Sequence, residues 1–198
     1  MKKNDYNLIV LCGKAGTGKN YIFSKLIEKC GDDINPIISD TTRPAREGEQ
    51  NGVDYRFLTP VQFAKEKHIE TTSYQVKENE TWLYGTHYSA LDKKKVNVGI
   101  FNVKGIKQLY EQAENINIKI FYITANAKTR LYRQMERVDY PDYYEICRRF
   151  VTDEEDFKEL YKYPTYKINN SENFEGDQGV EVIIDYINQL KVDSDKIV

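Results

Sequence analysis

The chain has 198 residues, enough to bury a full core, and its 40% hydrophobic and 30% charged residues are the ordinary mix of a globular protein in water. A net charge of −2 argues against a protein built mainly to coat nucleic acid or an anionic membrane. No apolar run approaches membrane-spanning length, and the one behind Met1, Lys2 and Lys3 is too short for a secretory leader, so a cytoplasmic location is expected. Cys12, Cys30 and Cys147 are odd in number, lack metal-site spacing and are expected to be reduced thiols.

Short apolar runs alternate with amphipathic stretches, which predicts an α/β fold with a mainly parallel sheet. Strands are expected at 7 to 12, 36 to 39, 53 to 58, 73 to 77, 96 to 102, 117 to 124 and 165 to 168. A helix is expected over 21 to 29. Thr59, Pro60 and Gln62 spell a capped helix start, with Pro at the first helical position and Gln where a capping box needs it. A long charged helical stretch around Pro141 breaks the alternation as an insertion over the sheet. Residues 175 to 191 close the chain as an amphipathic helix with Val180, Ile183, Ile184, Ile187 and Leu190 on one face.

The first expected strand runs directly into Gly13, Lys14, Ala15, Gly16, Thr17, Gly18, Lys19 and Asn20, the spacing of a P-loop. Glycines let the backbone curl so that successive N–H groups point at a phosphate, and Lys19 adds a mobile charge near the β- and γ-phosphates. Lys14 to Asn20 are therefore candidate ligands for the phosphates of a nucleotide. At the position where a hydroxyl ordinarily meets Mg²⁺ stands Asn20, a weaker candidate metal ligand through its amide oxygen.

Every arginine lies in one of two windows, Arg43, Arg46 and Arg56 in the first and Arg130, Arg133, Arg137, Arg148 and Arg149 in the second, whereas lysines are spread throughout. The planar guanidinium grips phosphate oxygens bidentately, so this segregation points to phosphate chemistry. The first window sits in Ser39-Asp40-Thr41-Thr42-Arg43-Pro44-Ala45-Arg46-Glu47-Gly48-Glu49-Gln50-Asn51-Gly52-Val53-Asp54-Tyr55-Arg56-Phe57. Two arginines three apart in a glycine-punctuated loop can converge on one monophosphate, with Tyr55 a further donor.

This segment resembles the guanylate kinases at every fixed position of their S-x-T-T-R-x-x-R-x-G-E-x-x-G-x-D-Y-x-F pattern. Ile69-Glu70 and Tyr84-Gly85-Thr86 resemble later elements of the same family, and the likeness runs loosely through the rest of the chain. It implies a P-loop NTPase three-layer fold with a parallel core sheet, an inserted mixed-β GMP-binding lobe and a helical lid. The corresponding parts are a core of 1–38, 89–128 and 158–198, a nucleoside monophosphate lobe of 39–88 and a lid of 129–157. The implied reaction is transfer of the ATP γ-phosphoryl group to GMP or dGMP, with Mg²⁺, in a monomer or weak dimer.

By the same resemblance Ser39 and Thr86 contact the guanine, Asn102 lies beside it, and Arg43, Arg46, Tyr55 and Tyr84 hold the GMP phosphate. Glu70 is the specificity residue, because a carboxylate accepts from both N1–H and N2–H₂ of guanine and adenine's edge offers no such pair. Arg133, Arg137 and Arg149 are the lid arginines that act with Lys19 and Arg43 in catalysis, with Arg148 the alternative to Arg149. Asn169 lies beside the adenine, and Asn170 replaces an acid.

Departures cluster around the metal. Where the family has two acids flanking one position after the strand at 96 to 102, this chain has Ile100 and Asn102, and Val138 replaces a lid glycine. Those losses keep open a nucleotide- or phosphopeptide-binding module with little turnover, against which stands the intact Gly18-Lys19. His68 and His87 are expected at the surface, and Asp153 to Asp156 as a solvated helical turn.

Overall fold

A computed structural model describes residues 5–46, 48–77, 80–112, 115–136, 141–171 and 175–195. Two sheets organise it. The core sheet is parallel throughout, with strand β2 (Ile34–Pro36), β7 (Val96–Ile100), β1 (Tyr6–Cys12), β8 (Ile116–Thr124) and β9 (Thr165–Asn169) in that spatial order. The second sheet is mixed: β4 (Arg56–Phe57), β3 (Asp40–Thr41), β6 (Glu80–His87) and β5 (His68–Lys77).

Strand β1 shows why the core forms. Its side chains alternate faces, and both faces are apolar: Ile9 and Leu11 join one buried cluster, Leu8, Val10 and Cys12 the other. Helix α1 (Lys19–Cys30), through Ile22 and Leu26, and α6 (Glu175–Asp195), through Val180, Ile183 and Ile187, close the first face. Helix α3 (Val103–Gln112) closes the second through Val103, Ile106 and Leu109. Helix α2 (Pro60–Lys65) starts on the expected capping box, Thr59 Oγ1 accepting from Gln62 N–H and Gln62 Oε1 from Thr59 N–H.

Several expected elements shift. The strand expected at 36 to 39 pairs only over Ile34–Pro36, because after the Ile37 N–H bond to Val98 the chain leaves the core sheet and Asp40 enters the second one. The strand expected at 53 to 58 shrinks to Arg56–Phe57, since the N–H groups of Val53 and Asp54 turn back to the Gln50 carbonyl. The strand expected at 73 to 77 is one arm of a hairpin, β5 and β6, whose polar alternation hides it from hydrophobic patterning. The strand expected to reach 102 ends at Ile100. The single helical insertion is two helices, α4 (Ala127–Met135) and α5 (Tyr143–Asp156), the latter capped by the Asp142 carboxylate on Glu145 N–H.

Candidate active site

The segments that carry the motifs leave the core sheet at one edge. Gly13 follows β1, Asn102 follows β7 and Asn170 follows β9, and in a parallel sheet these are all carboxyl ends, where open α/β folds place their ligands.

The P-loop needs its glycines for two separate reasons. Gly16 and Gly18 take φ of +78° and +90°, a region that L side chains rarely adopt. A Cβ on Gly16 would also lie 2.3 Å from the Arg130 carbonyl oxygen, and one on Gly18 2.3 Å from Asn170 Nδ2. The loop is held from inside by Thr17 Oγ1 donating to the Lys14 carbonyl at 2.8 Å. Lys19 folds back across it, Nζ donating to the carbonyls of Gly13 at 2.5 Å and Lys14 at 3.0 Å. An incoming phosphate would offer that ammonium a charged partner in place of neutral carbonyls. Asn170, 4% exposed, donates from Nδ2 to the Thr17 carbonyl and accepts Arg133 Nη1 on its own carbonyl at 2.9 Å, so its amide braces the loop. Asn169 is exposed at the end of β9, and its Oδ1 accepts from the Ser171 hydroxyl.

The second cluster gathers the residues of the arginine loop. Arg43, 4% exposed, places its fork on Glu49 with two bonds of 2.9 Å, and donates again to the Pro44 carbonyl. Those bonds hold the Glu49 carboxyl below its ordinary range, against the opposing effect of burial. Glu49 also accepts from Arg46 N–H, which leaves the Arg46 residue exposed at the loop's rim. From Arg43 a line of aromatic contacts crosses the sheet: the guanidinium lies 5.4 Å from the Tyr55 ring centre, Tyr55 meets Tyr84 edge-on, and Tyr84 meets Tyr74 edge-on. Tyr74 hydroxyl then accepts from Asn102 Nδ2 at 3.1 Å.

That line ends beside Glu70. Glu70 is 7% exposed and pairs across the hairpin with Thr86, which is fully buried, while Ser39 is half-buried beside β3. Burial pushes the Glu70 carboxyl up to about 7, only partly offset by its neighbour Thr86. Gly105 on the first turn of α3 packs against it, and Asn102 Oδ1 accepts from Gly105 N–H at 2.7 Å.

The third cluster is the arginine-bearing helix pair. Glu145 on α5 pairs with both Arg148 and Arg149, and Arg148's hydrogen bonds lead in pulling its carboxyl down to about 2. Arg149 and Asp153 are four apart and share a helix face, and Asp153 touches the P-loop, so the face toward that loop is that of Arg149 rather than Arg148. Arg137 and Val138 lie outside the described residues.

Two expectations are corrected here. His68 and His87 are not surface residues: His87 is 8% exposed, and both rings turn toward the fully buried Asp40, at 3.0 Å and 3.4 Å. Asp153 is not solvated but half-buried against the P-loop, and Glu154, though exposed, is held in ion pairs. They contact Ala15 N–H, Lys14 and Arg130. Sequence reading also gave no role to Glu49, Tyr74 or Gly105, and singled out Arg130 only as a member of the second arginine window. Glu49 could have been found from its place in the loop motif, and Gly105 from a glycine inside a helix; Tyr74 gave no signal, and the arginine window carries nothing about the partners of Arg130.

Magnesium finds few protein ligands in this set. Asn20 is exposed, Ile100 offers no donor, and the Asn102 amide oxygen is engaged by Gly105 N–H. Among the described residues no group of three His, Cys, Asp or Glu could hold a metal ion, so the residues present do not build a magnesium cage.

No helix among the described residues is long and apolar enough to cross a membrane, and the three cysteines are unbridged. The guanylate kinase family model matches residues 5–176. The guanylate kinase of Campylobacter jejuni (strain RM1221) is 29% identical over 171 residues, covering 82% of this chain and 80% of that protein. That of Legionella pneumophila (strain Paris) is 33% identical over 140 residues, 68% of this chain and 65% of that one. A crystal structure of guanylate kinase from Anaplasma phagocytophilum superposes with a TM-score of 0.62 at 19% identity, over 94% of this chain and 87% of that one, and so shares the fold. With a match that takes in the P-loop, the arginine loop, Glu70 and both arginine-bearing helices, the chain belongs to the guanylate kinase family.

Proposed function

We propose that this guanylate kinase binds ATP on the P-loop and GMP or dGMP against the second sheet, and transfers the γ-phosphoryl group between them at the carboxyl edge of the core sheet. The observation that carries the reading is Glu70: a buried carboxyl, raised to about 7, standing at the end of a line of contacts that begins at Arg43. A binding site for any nucleotide would need the phosphate loop alone. Only a guanine supplies two adjacent N–H groups to that acid, and a wrong base that leaves it unpaired costs about 1–3 kcal/mol or more.

In this reading residues 39–88 form the GMP lobe and 129–157 the lid, around a core of 1–38, 89–128 and 158–198. Ser39 and Thr86 meet the guanine, with Asn102 beside it. Arg43, Arg46, Tyr55 and Tyr84 take the GMP phosphate. Lys14 to Asn20 cradle the ATP phosphates, and Asn169 lies near the adenine. Lys19, Arg133, Arg137 and Arg149 neutralise charge spread over the transferred group, which is most of what phosphoryl transfer asks of a protein. Closure of the lid excludes the water that would otherwise hydrolyse ATP. No step is assigned to a protein-held metal; Mg²⁺, where it accompanies ATP, would supply charge neutralisation on the phosphates. The protein acts in the cytoplasm as a monomer or weak dimer.

The test is ADP release from ATP and Mg²⁺ with GMP, dGMP, AMP, CMP and UMP as acceptors. Turnover with GMP and dGMP and little with the others is expected. Comparable rates with AMP would overturn the assignment of Glu70.

A further inference from the structure

Ala15, in the middle of the P-loop, is gripped at both ends of its backbone by side chains of the helix pair. Its carbonyl accepts from Arg130 Nε at 3.1 Å, and its N–H donates to Asp153 Oδ2 at 2.5 Å. Arg130 is 4% exposed and lies over Phe150, its guanidinium carbon 4.4 Å from the ring centre. Its Nη1 donates to Glu154 Oε1 at 2.9 Å, and Nη2 lies 3.6 Å from Asp153 Oδ2. Glu154 reaches back to Lys14 with its other oxygen. The Arg130 backbone is packed so closely on Gly16 that no Cβ would fit there.

Two cations and two anions thus make a closed ring around one loop peptide. Burying an arginine to do this gains little stability, since well-packed apolar residues would serve as well or better. What the ring does fix is geometry. Arg133 stands three residues after Arg130 on α4, and Arg149 four residues before Asp153 on α5, so these two arginines are each one turn from a clamped residue.

We propose that Arg130, Asp153 and Glu154 are positioning residues for phosphoryl transfer, clamping the roots of both arginine-bearing helices to the ATP-binding loop. They set the arc of the loop and the aim of Arg133 and Arg149. The proposal rests on the reading of the P-loop as the ATP site and adds to it a second set of residues on which ATP use depends.

Arg130→Met keeps the volume and removes the fork, and Asp153→Ala removes the acceptor of Ala15 N–H at a residue less buried than Arg130. Each should raise the KM for ATP tenfold or more and lower kcat, with the KM for GMP within twofold. Asp153→Asn, which keeps an acceptor for Ala15 N–H, should recover most of the loss seen in Asp153→Ala. The double change should add less than twofold to either single one. An unchanged ATP KM, an equal rise in both KM values, or independent effects would overturn the clamp. Calorimetric ADP binding separates this from the function itself. ADP that binds the parent chain and binds tenfold more weakly to Asp153→Ala supports the clamp even if no transfer to GMP is seen, whereas no ADP binding by the parent chain overturns both.

Discussion

Gly105 and Glu70 lie so close that a Cβ on the glycine would come within 2.9 Å of Glu70 Oε2. The first turn of α3 therefore roofs the carboxyl and removes it from water, which is why its pKa is raised to about 7 rather than staying near 4.5. Guanine needs the ionised form as a double acceptor, so GMP binding should strengthen as pH rises through 7. From pH 8 to pH 6 the ionised fraction falls roughly tenfold, and the KM for GMP should rise by about that factor. Glu70→Gln should flatten this component and so separate it from the phosphate's own second ionisation at about pH 6. The stability consequence has a definite sign. A carboxyl raised on folding contributes stability below its ordinary range and loses it as pH rises through 7, so GMP should raise the melting temperature more at pH 8 than at pH 6. An identical pH profile for the parent chain and Glu70→Gln would refute both statements.

The bidentate pair of Arg43 and Glu49 predicts a division between the two substrates. Glu49→Gln keeps the size of the side chain but loses the charge that orients the fork. A hydrogen bond to a charged group contributes about 1.5–3 kcal/mol, so the KM for GMP should rise roughly tenfold or more while that for ATP stays put. Lys19→Ala should do the opposite, abolishing transfer with little effect on GMP affinity. Calorimetric titration of both variants with GMP checks this; equal losses would mean that the two sites are not separate.

His87 predicts acid sensitivity in the second sheet. Burial lowers its pKa, and although Asp40 opposes this, Arg56 reinforces it; Glu66 and His68 complete the charges around the ring. A histidine depressed on folding contributes stability above its ordinary value of about 6.5, and that contribution is lost as pH falls below it. Denaturant unfolding of the parent chain should therefore lose more stability between pH 7.5 and pH 5.5 than His87→Gln does. Glu70 runs the other way in the same interval, so the comparison between variants, not the raw slope, carries the result. Parallel slopes would show that the ring takes its proton without strain.

What was legible in the sequence follows from how locally each feature is determined. The P-loop and the arginine loop write their backbone geometry in glycines and their chemistry in neighbouring residues, and both stand where expected. The helix start at Thr59 is equally local. By contrast Asp153 and Ala15 meet across 138 positions, and nothing near Asp153 distinguishes it from a solvated acid. His68 and His87 are drawn inward by Asp40, a residue whose burial depends on the short strand it forms with β6. Only part of the hairpin is legible in the sequence, because its inward face is built of Glu70, Thr72 and Thr86, polar groups buried for the site rather than for the core. The places where hydrophobic patterning fails are here the places where the protein keeps its polar chemistry.

Asn20 is the residue most at odds with its motif. It is exposed at the start of α1, where a hydroxyl would ordinarily meet the metal that travels with ATP, and neither Ile100 nor the engaged Asn102 makes up the missing ligand. A protein with so little to offer the ion should depend on a high concentration of it. Restoring the hydroxyl with Asn20→Ser should lower the half-saturating Mg²⁺, and since one coordination contact is worth about a few kcal/mol of charge stabilisation, a gain of roughly tenfold at limiting metal is expected. The competing account makes Asn20 suited to this site, its amide completing the shell through a water beside Asn102. Titration of Mg²⁺ at saturating ATP and GMP decides between them: a half-saturating concentration that stays the same in Asn20→Ser, or activity that falls, means that the amide serves the metal as well as a hydroxyl would.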